Sequence, residues 1–174
     1  MIVLIPASTY RERIAEKVLD SIIYQTVRGN VVIVCTPGGR ANQPKDLKHE
    51  IASRMACRTF ALGLDPEKER YIAVQDPDIL HLRTDNWQSA ALALEQDRSL
   101  GAVAFQRDES QHHVCIGGAV YRIEVFLDLK YNPEMSCCKS VKDAIEIKNK
   151  GFRYLDNLPR IRHLTPNRAN STLE

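Results

Sequence analysis

Cysteine is scarce in this chain. Five stand among 174 residues (Cys35, Cys57, Cys115, Cys137 and Cys138), an odd number with no CxxC pair. That excludes a zinc ribbon and a dense disulfide framework, and leaves reduced, mostly buried thiols as the expectation. A charge excess is missing as well. Lys plus Arg number 24 against 22 Asp plus Glu, and a net charge of +2 is too small to draw the chain to nucleic acid by bulk electrostatics. No apolar run approaches the ~20 residues of a membrane-spanning helix. Met1 leads straight into Ile2-Val3-Leu4-Ile5 with no basic stretch ahead of it, so no secretion signal is read and the expected location is the cytoplasm. Internal repeats and low-complexity segments are absent too.

What is present is ordinary for a globular protein: 44% hydrophobic and 26% charged residues, which excludes intrinsic disorder and collagen-like repeats. Domains usually run ~100–200 residues, and a chain of this length buries roughly two thirds of its unfolded surface. It needs neither metal nor disulfide merely to fold. We expect one domain over residues 1–164 and a polar tail over 165–174. A symmetric homodimer is compatible with the size.

The hydrophobic pattern alternates between strand and helix. Ile2–Ile5 reads as a strand buried on both faces and ended by Pro6. Ile14, Val18, Leu19, Ile22 and Ile23 form a helical stripe between Arg11 and Gln25. Val31–Cys35 is a second β-branched run, followed by the loop Thr36-Pro37-Gly38-Gly39. A helix is expected over Asp46–Arg58, a strand over Tyr71–Gln75, and a helix over Asn86–Gln96 with Asp85 as N-cap. Gly101 opens a strand at Ala102–Phe105. This alternation predicts a parallel sheet with helices on both faces. The last third is expected to be mixed: strands near Val114–Ile116 and Ala119–Tyr121, a short helix at Glu124–Leu127, and a helix over Val141–Lys148 with Gly151 as C-cap. Phe152–Leu155 and Arg160–Leu164 read as two edge strands.

In an open α/β sheet, ligands gather at the carboxyl ends of parallel strands. Three such ends carry candidate chemistry: Pro6-Ala7-Ser8-Thr9, Thr36-Pro37-Gly38-Gly39 and Asp76-Pro77-Asp78. Asp76 and Asp78 can face one hard cation, because Mg²⁺ and Mn²⁺ favour carboxylate oxygens and keep sites open for a diphosphate. Asp-Pro-Asp is equally a turn that ends a strand.

From residue 3 to 164 the chain resembles the small inverting glycosyltransferases of the GT-A fold, family 2 in particular. The segments that carry the resemblance are VLIPASTYRERIAEKVLDSI, YQT, YIAVQDPDI, GAVAF, GGAVYRIEVF, KDAIEIKNKGFRY and RIRHL, in the family's order. The resemblance implies a GT-A fold and transfer of a sugar from a nucleotide-diphosphate donor, with Mn²⁺ or Mg²⁺, to an acceptor it does not identify. It implies that Pro6, Ala7 and Ser8 cradle the nucleotide and that Asp76 and Asp78 form the DxD motif on the metal and diphosphate. Gly117, Gly118, Tyr121 and Arg122 would lie beside the sugars. Asp143 would be the general base, with Glu134 in reserve, and His163 would complete the metal shell.

The chain also departs from that family. Thr36-Pro37-Gly38-Gly39 replaces the usual Asp-Asp-Gly-Ser, and Lys142-Asp143 replaces Glu-Asp. The stretch from Asp143 to Gly151 is about one helical turn short, so strict spacing puts Ser140 where the base belongs. The Gln-x-x-Arg-Trp motif of processive synthases is missing, which argues against polymer synthesis. A GT-A-shaped binding or assembly module without catalysis is the alternative, and a nucleotidyltransferase of related topology is a third reading. Of the other residues, Trp87 reads as a packing anchor, His81 as loop, and Arg54 and Arg58 as a solvated helix face.

Overall fold

The computed structural model describes residues 1–8, 16–25, 30–36, 55–76, 79–107, 118–130 and 139–163. Their elements run β1 (Ile2–Ser8), α1 (Glu16–Ile23), β2 (Asn30–Thr36), α2 (helical at 55–61), β3 (Tyr71–Gln75), β4 (Ile79–His81), α3 (Asn86–Gln96), β5 (Leu100–Arg107), β6 (Gly118–Arg122), α4 (Ile123–Asp128), α5 (Lys139–Asn149) and β7 (Arg153–His163).

The strands form one seven-stranded sheet in the order β2-β1-β3-β6-β5-β7-β4. β1, β2, β3, β5 and β7 run one way, while β6 and β4 run against them. The expected parallel sheet is therefore present, and the two reversed strands supply the mixed part. Residues alternate between two apolar layers, as the period of two along a strand requires. Ile2, Leu4, Ile72, Val74, Ala119 and Tyr121 join α2, α4 and α5 on one face. Val3, Ile5, Ala73, Val103 and Val120 join α1 and α3 on the other.

Several boundaries differ from the expectation for identifiable reasons. β1 continues through Pro6 to Ser8, because β2 stays paired along its whole length while β3 leaves the ladder after Leu4. A proline without an N–H is tolerated where one side of the ladder has already ended. The two expected edge strands near the C-terminus are a single strand, β7. It lies between β5 and β4, and its register against β5 is interrupted by irregularities between Leu100 and Arg107. Asp85 does stand at the N-cap of α3, but its carboxylate makes no capping bond. Arg83 takes both oxygens, at 2.9 and 2.6 Å, and this forked charge-assisted pair holds the Asp85 carboxyl below its usual range.

Gly151 closes α5 as expected. Its φ of +82° suits a residue without Cβ. Its N–H donates to the Lys148 carbonyl at 3.0 Å and the next N–H, of Phe152, to Ile147 at 3.1 Å, the paired bonds of a Schellman motif. The chain then reverses directly into β7. Ile147 packs over Gly101 at the start of β5, where a Cβ would meet Ile147 Cγ2 at 3.0 Å.

Candidate functional site

Strand register brings the predicted segments to one edge of the sheet. Ser8 lies beside Thr36, and β1 pairs with β3 in parallel, Ile2 with Ile72 and Leu4 with Val74, so the carboxyl ends of β1, β2 and β3 point the same way. On the other side of β3, Gln75 pairs with Gly118, the first residue of β6. Gly118 suits this place: a Cβ there would meet Phe105 Cδ2 at 3.2 Å and the Val74 carbonyl at 3.5 Å.

After Gln75 the chain turns at once. The Ile79 N–H donates to the Asp76 carbonyl at 3.3 Å, and Ile79 opens β4, which pairs with the end of β7 so that His163 stands opposite Ile79. Asp76 is thus within a short turn of the strand position that faces His163. Asp78 and Gly117 lie outside the described residues, as do Glu134, Arg54 and the Pro37-Gly38-Gly39 loop. For Ala7, Ser8, Asp143 and His163 the backbone is described and the side chain is not. Asp143 falls in the first half of α5.

A metal centre built from Asp76, Asp78 and His163 would combine carboxylate oxygens with an imidazole, a donor set that suits Mn²⁺. Among the described residues no three His, Cys, Asp or Glu side chains converge. The expected set draws two of its three side chains from outside them, so its fit rests on backbone placement: the turn at Asp76, and the pairing of Ile79 with His163.

Directly beneath the turn lies a buried polar relay that the sequence reading did not assign. His81 was expected in a loop. It is the last residue of β4, 6% exposed, with its ring edge-on to Trp87 and Phe105 at centroid distances of 5.3 and 5.2 Å. Gln75 Nε2 donates to the Ile79 carbonyl at 3.0 Å, which sets the carboxamide's orientation and turns Oε1 to His81 Nε2 at 2.6 Å. His81 must therefore carry its proton on Nε2, leaving Nδ1 to accept from Asn86 Nδ2 at 2.8 Å. The backbone N–H of His81 donates to Ser21 Oγ at 3.2 Å. Gln25 completes the layer, donating from Nε2 to the Arg83 carbonyl at 2.7 Å and to Ser21 O at 3.0 Å. Burial holds the His81 imidazole far below its ordinary range, down to about 3, so the ring is neutral. One sequence signal was available: Gln75 is the single amide in an otherwise apolar buried strand, and a buried polar group needs partners.

Two residues expected beside the sugars lie elsewhere. Arg122 pairs with Tyr71 at the opposite end of β3 from Asp76. Its guanidinium is occupied by backbone carbonyls, Nε with Leu100 at 2.7 Å and Nη2 with Asp97 at 3.2 Å and with Leu94. The register that brings Gly118 to the site takes Arg122 away from it, since four residues of strand separate them. Tyr121 is buried in the core against Phe126, at 5.2 Å between ring centroids. Arg58 is half-buried, and its Nε ties α2 to α4 through the Leu127 carbonyl at 2.7 Å. Trp87 is the packing anchor expected of it, 1% exposed. A polar cleft of about 660 Å³, lined by Arg70, Tyr71, Glu95, Arg98, Arg122 and Glu124 among others, opens at the Arg122 end, away from the aspartate turn.

No protein-family model matches the chain, and no curated protein matches it in sequence. Solved structures resemble it in three dimensions. A mannosyltransferase from Pyrobaculum calidifontis, complexed with GDP-Man and Mn²⁺, superposes with a TM-score of 0.67 at 16% identity, over 96% of this chain and 57% of that one. The chain thus spans little more than half the length of that enzyme. A Drosophila beta-1,4-galactosyltransferase 7 variant with manganese, UDP-Gal and xylobiose gives 0.60 at 15% identity, over 100% of this chain and 76% of that one. CMP:2-keto-3-deoxy-manno-octonic acid synthetase, complexed with CTP, gives 0.59 at 10% identity, over 91% and 89%. At these identities the likeness establishes the fold: the chain has the GT-A fold of the nucleotide-diphospho-sugar transferases.

Proposed function

We propose that this chain is a metal-dependent inverting glycosyltransferase that moves a sugar from a nucleotide-diphosphate donor to an acceptor hydroxyl. The observation that carries the reading is Asp76 at the end of β3, next to the Gln75–Gly118 pair and one short turn from the strand position opposite His163. In this reading Asp76, Asp78 and His163 hold Mn²⁺ or Mg²⁺, while Pro6, Ala7, Ser8 and the backbone at Gly117 and Gly118 cradle the donor. The bound ion supplies positive charge against the departing diphosphate.

The chain's own residues do the rest. Pro6, Ala7 and Ser8, the carboxyl end of β1, take the nucleotide in this reading. Asp143, in the first half of α5, accepts the proton of the acceptor hydroxyl as its oxygen attacks the anomeric carbon from the side opposite the diphosphate. One base and no covalent intermediate give inversion. In this reading Arg122 is left out of the donor site, its guanidinium bonding the carbonyls of Leu94, Asp97 and Leu100.

A thermal-shift panel of nucleoside diphosphates and their sugars, with and without Mn²⁺, tests the donor class, since a ligand that binds only the folded state raises its melting temperature. Asp76→Asn is expected to abolish the Mn²⁺-dependent shift. Asp143→Asn is expected to keep the shift and stop transfer; transfer at the wild-type rate in that variant would remove Asp143 from its role. The likeness to the CTP-bound synthetase favours a second reading, a nucleotidyltransferase. A Mn²⁺-dependent shift with nucleoside triphosphates and none with diphosphate sugars would support it. Binding of a diphosphate sugar with no transfer to any acceptor would support a non-catalytic module.

A further inference from the structure

Gln75 is the last residue of β3, and Asp76 follows it into the turn. A buried amide at the end of an apolar strand is unfavourable unless each of its groups is bonded, and here each is. Nε2 donates to the Ile79 carbonyl, so the side chain that enters the turn also grips the residue that leaves it. Oε1 accepts from His81, whose other ring nitrogen accepts from Asn86, the first residue of α3. Ser21 of α1 anchors the His81 backbone from a third side. Four elements, β3, β4, α1 and α3, thus converge on the few atoms that span the mouth of the turn.

We propose that Gln75 is a positioning residue for Asp76, its carboxamide clamping the two ends of the turn so that the carboxylate is held ready for a divalent cation and a nucleoside diphosphate. The proposal rests on the metal-dependent reading above. His81 and Asn86 act one step further out: they hold the carboxamide in the single orientation that lets it donate to Ile79. A neutral Nε2–H imidazole suits this task, since it offers one donor and one acceptor in line and brings no charge that would compete with a cation for Asp76. Rigid support of this kind lowers the ordering a loop must undergo on binding, which raises affinity without any new contact to the ligand.

The test is calorimetric titration of the full chain with GDP and with UDP at increasing Mn²⁺. Gln75→Met keeps the volume and removes both hydrogen bonds of the clamp. It is expected to raise the Mn²⁺ concentration for half-saturation about tenfold. Gln25→Ala is the control, since it removes an equally buried amide of the same layer that bonds Arg83, Ser21 and the Trp87 N–H and not the turn. It is expected to lower the melting temperature and to leave the Mn²⁺ midpoint within about twofold. If Gln75→Met does not fold, Asn86→Ala takes its place, with an expected shift of about threefold in the same direction. Equal midpoints for wild type and the clamp variant, or equal shifts in the clamp variant and Gln25→Ala, overturn the positioning role while the wild type's Mn²⁺-dependent binding leaves the transferase reading standing. A wild-type chain that binds neither nucleotide with Mn²⁺ overturns both.

Discussion

Acid should unfold this protein earlier than its carboxylates alone would dictate, and His81 is the reason. In the unfolded chain its imidazole takes up a proton near the ordinary value of 6.5, whereas in the folded chain burial delays protonation to about 3. Between those values the unfolded state binds more protons than the folded one, so stability rises with pH and is lost as pH falls below 6.5. Each pH unit in that window lowers the unfolding free energy by about 1.4 kcal/mol, so about 2 kcal/mol is gone by roughly pH 5. Asp85, Asp97 and Asp128, whose carboxyls are held low by Arg83, by Ser99 and by Lys150 respectively, lose their contributions only as pH falls through and below the ordinary 3.8. They are therefore silent above about pH 5. The assay is urea unfolding of the wild type and His81→Gln at several pH values from about 7 to 5. His81→Gln removes the titrating ring and keeps an amide able to bond Gln75, and it shares every other histidine with the wild type. The wild type is expected to lose about 2 kcal/mol more than the variant across the range. Parallel curves would refute the reasoning and would mean that water reaches the ring or that the His81–Gln75 bond does not persist in solution.

Other substitutions probe the frame. Gly101→Ala should destabilise by about 1–3 kcal/mol in chemical unfolding. Its methyl would meet Ile147 Cγ2 and Phe152 Cβ at 3.0 Å and Val125 Cγ1 at 3.2 Å, with α5 and α4 both packed in place. Arg122→Ala should lower stability by about 2 kcal/mol by orphaning the carbonyls of Leu94, Asp97 and Leu100, and should leave the Mn²⁺-dependent nucleotide titration unchanged. A weakened titration at full stability would return Arg122 to the donor site. Trp87→Ala should remove about 3–5 kcal/mol, read as a lower urea midpoint, because the indole is 1% exposed in the α1–α3 layer.

Much of the fold was legible in local patterning. The strand Tyr71–Gln75 and the bounds of α3 were read correctly, as was Gly151 as a C-cap, because each follows from neighbours a few residues apart. The site was legible only as a set of segments. Reading β7 as two edge strands failed because its burial comes from β5 on one side and β4 on the other, neither adjacent to it in sequence. His81 was placed in a loop because three residues of strand carry too little periodicity to show, and its burial depends on Gln75, Asn86, Trp87 and Phe105 together. Arg122 was assigned to the donor by the family resemblance of the GGAVYRIEVF segment as a whole, yet a strand of five residues carries its two ends to opposite ends of the sheet.

By itself, then, the amino-acid order determined the alternation of strand and helix, the apolar stripes that make a two-faced sheet, and the pair of acidic residues at a strand end. Tertiary structure alone decided that β6 and β4 run backwards, that Ile79 faces His163, that Arg122 is turned away, and that a neutral histidine underpins the aspartate turn. The division has a physical cause. Propensity and periodicity act over a few residues, whereas register, burial and the partners of a buried polar group are set by chain segments that meet only once the whole sheet has formed.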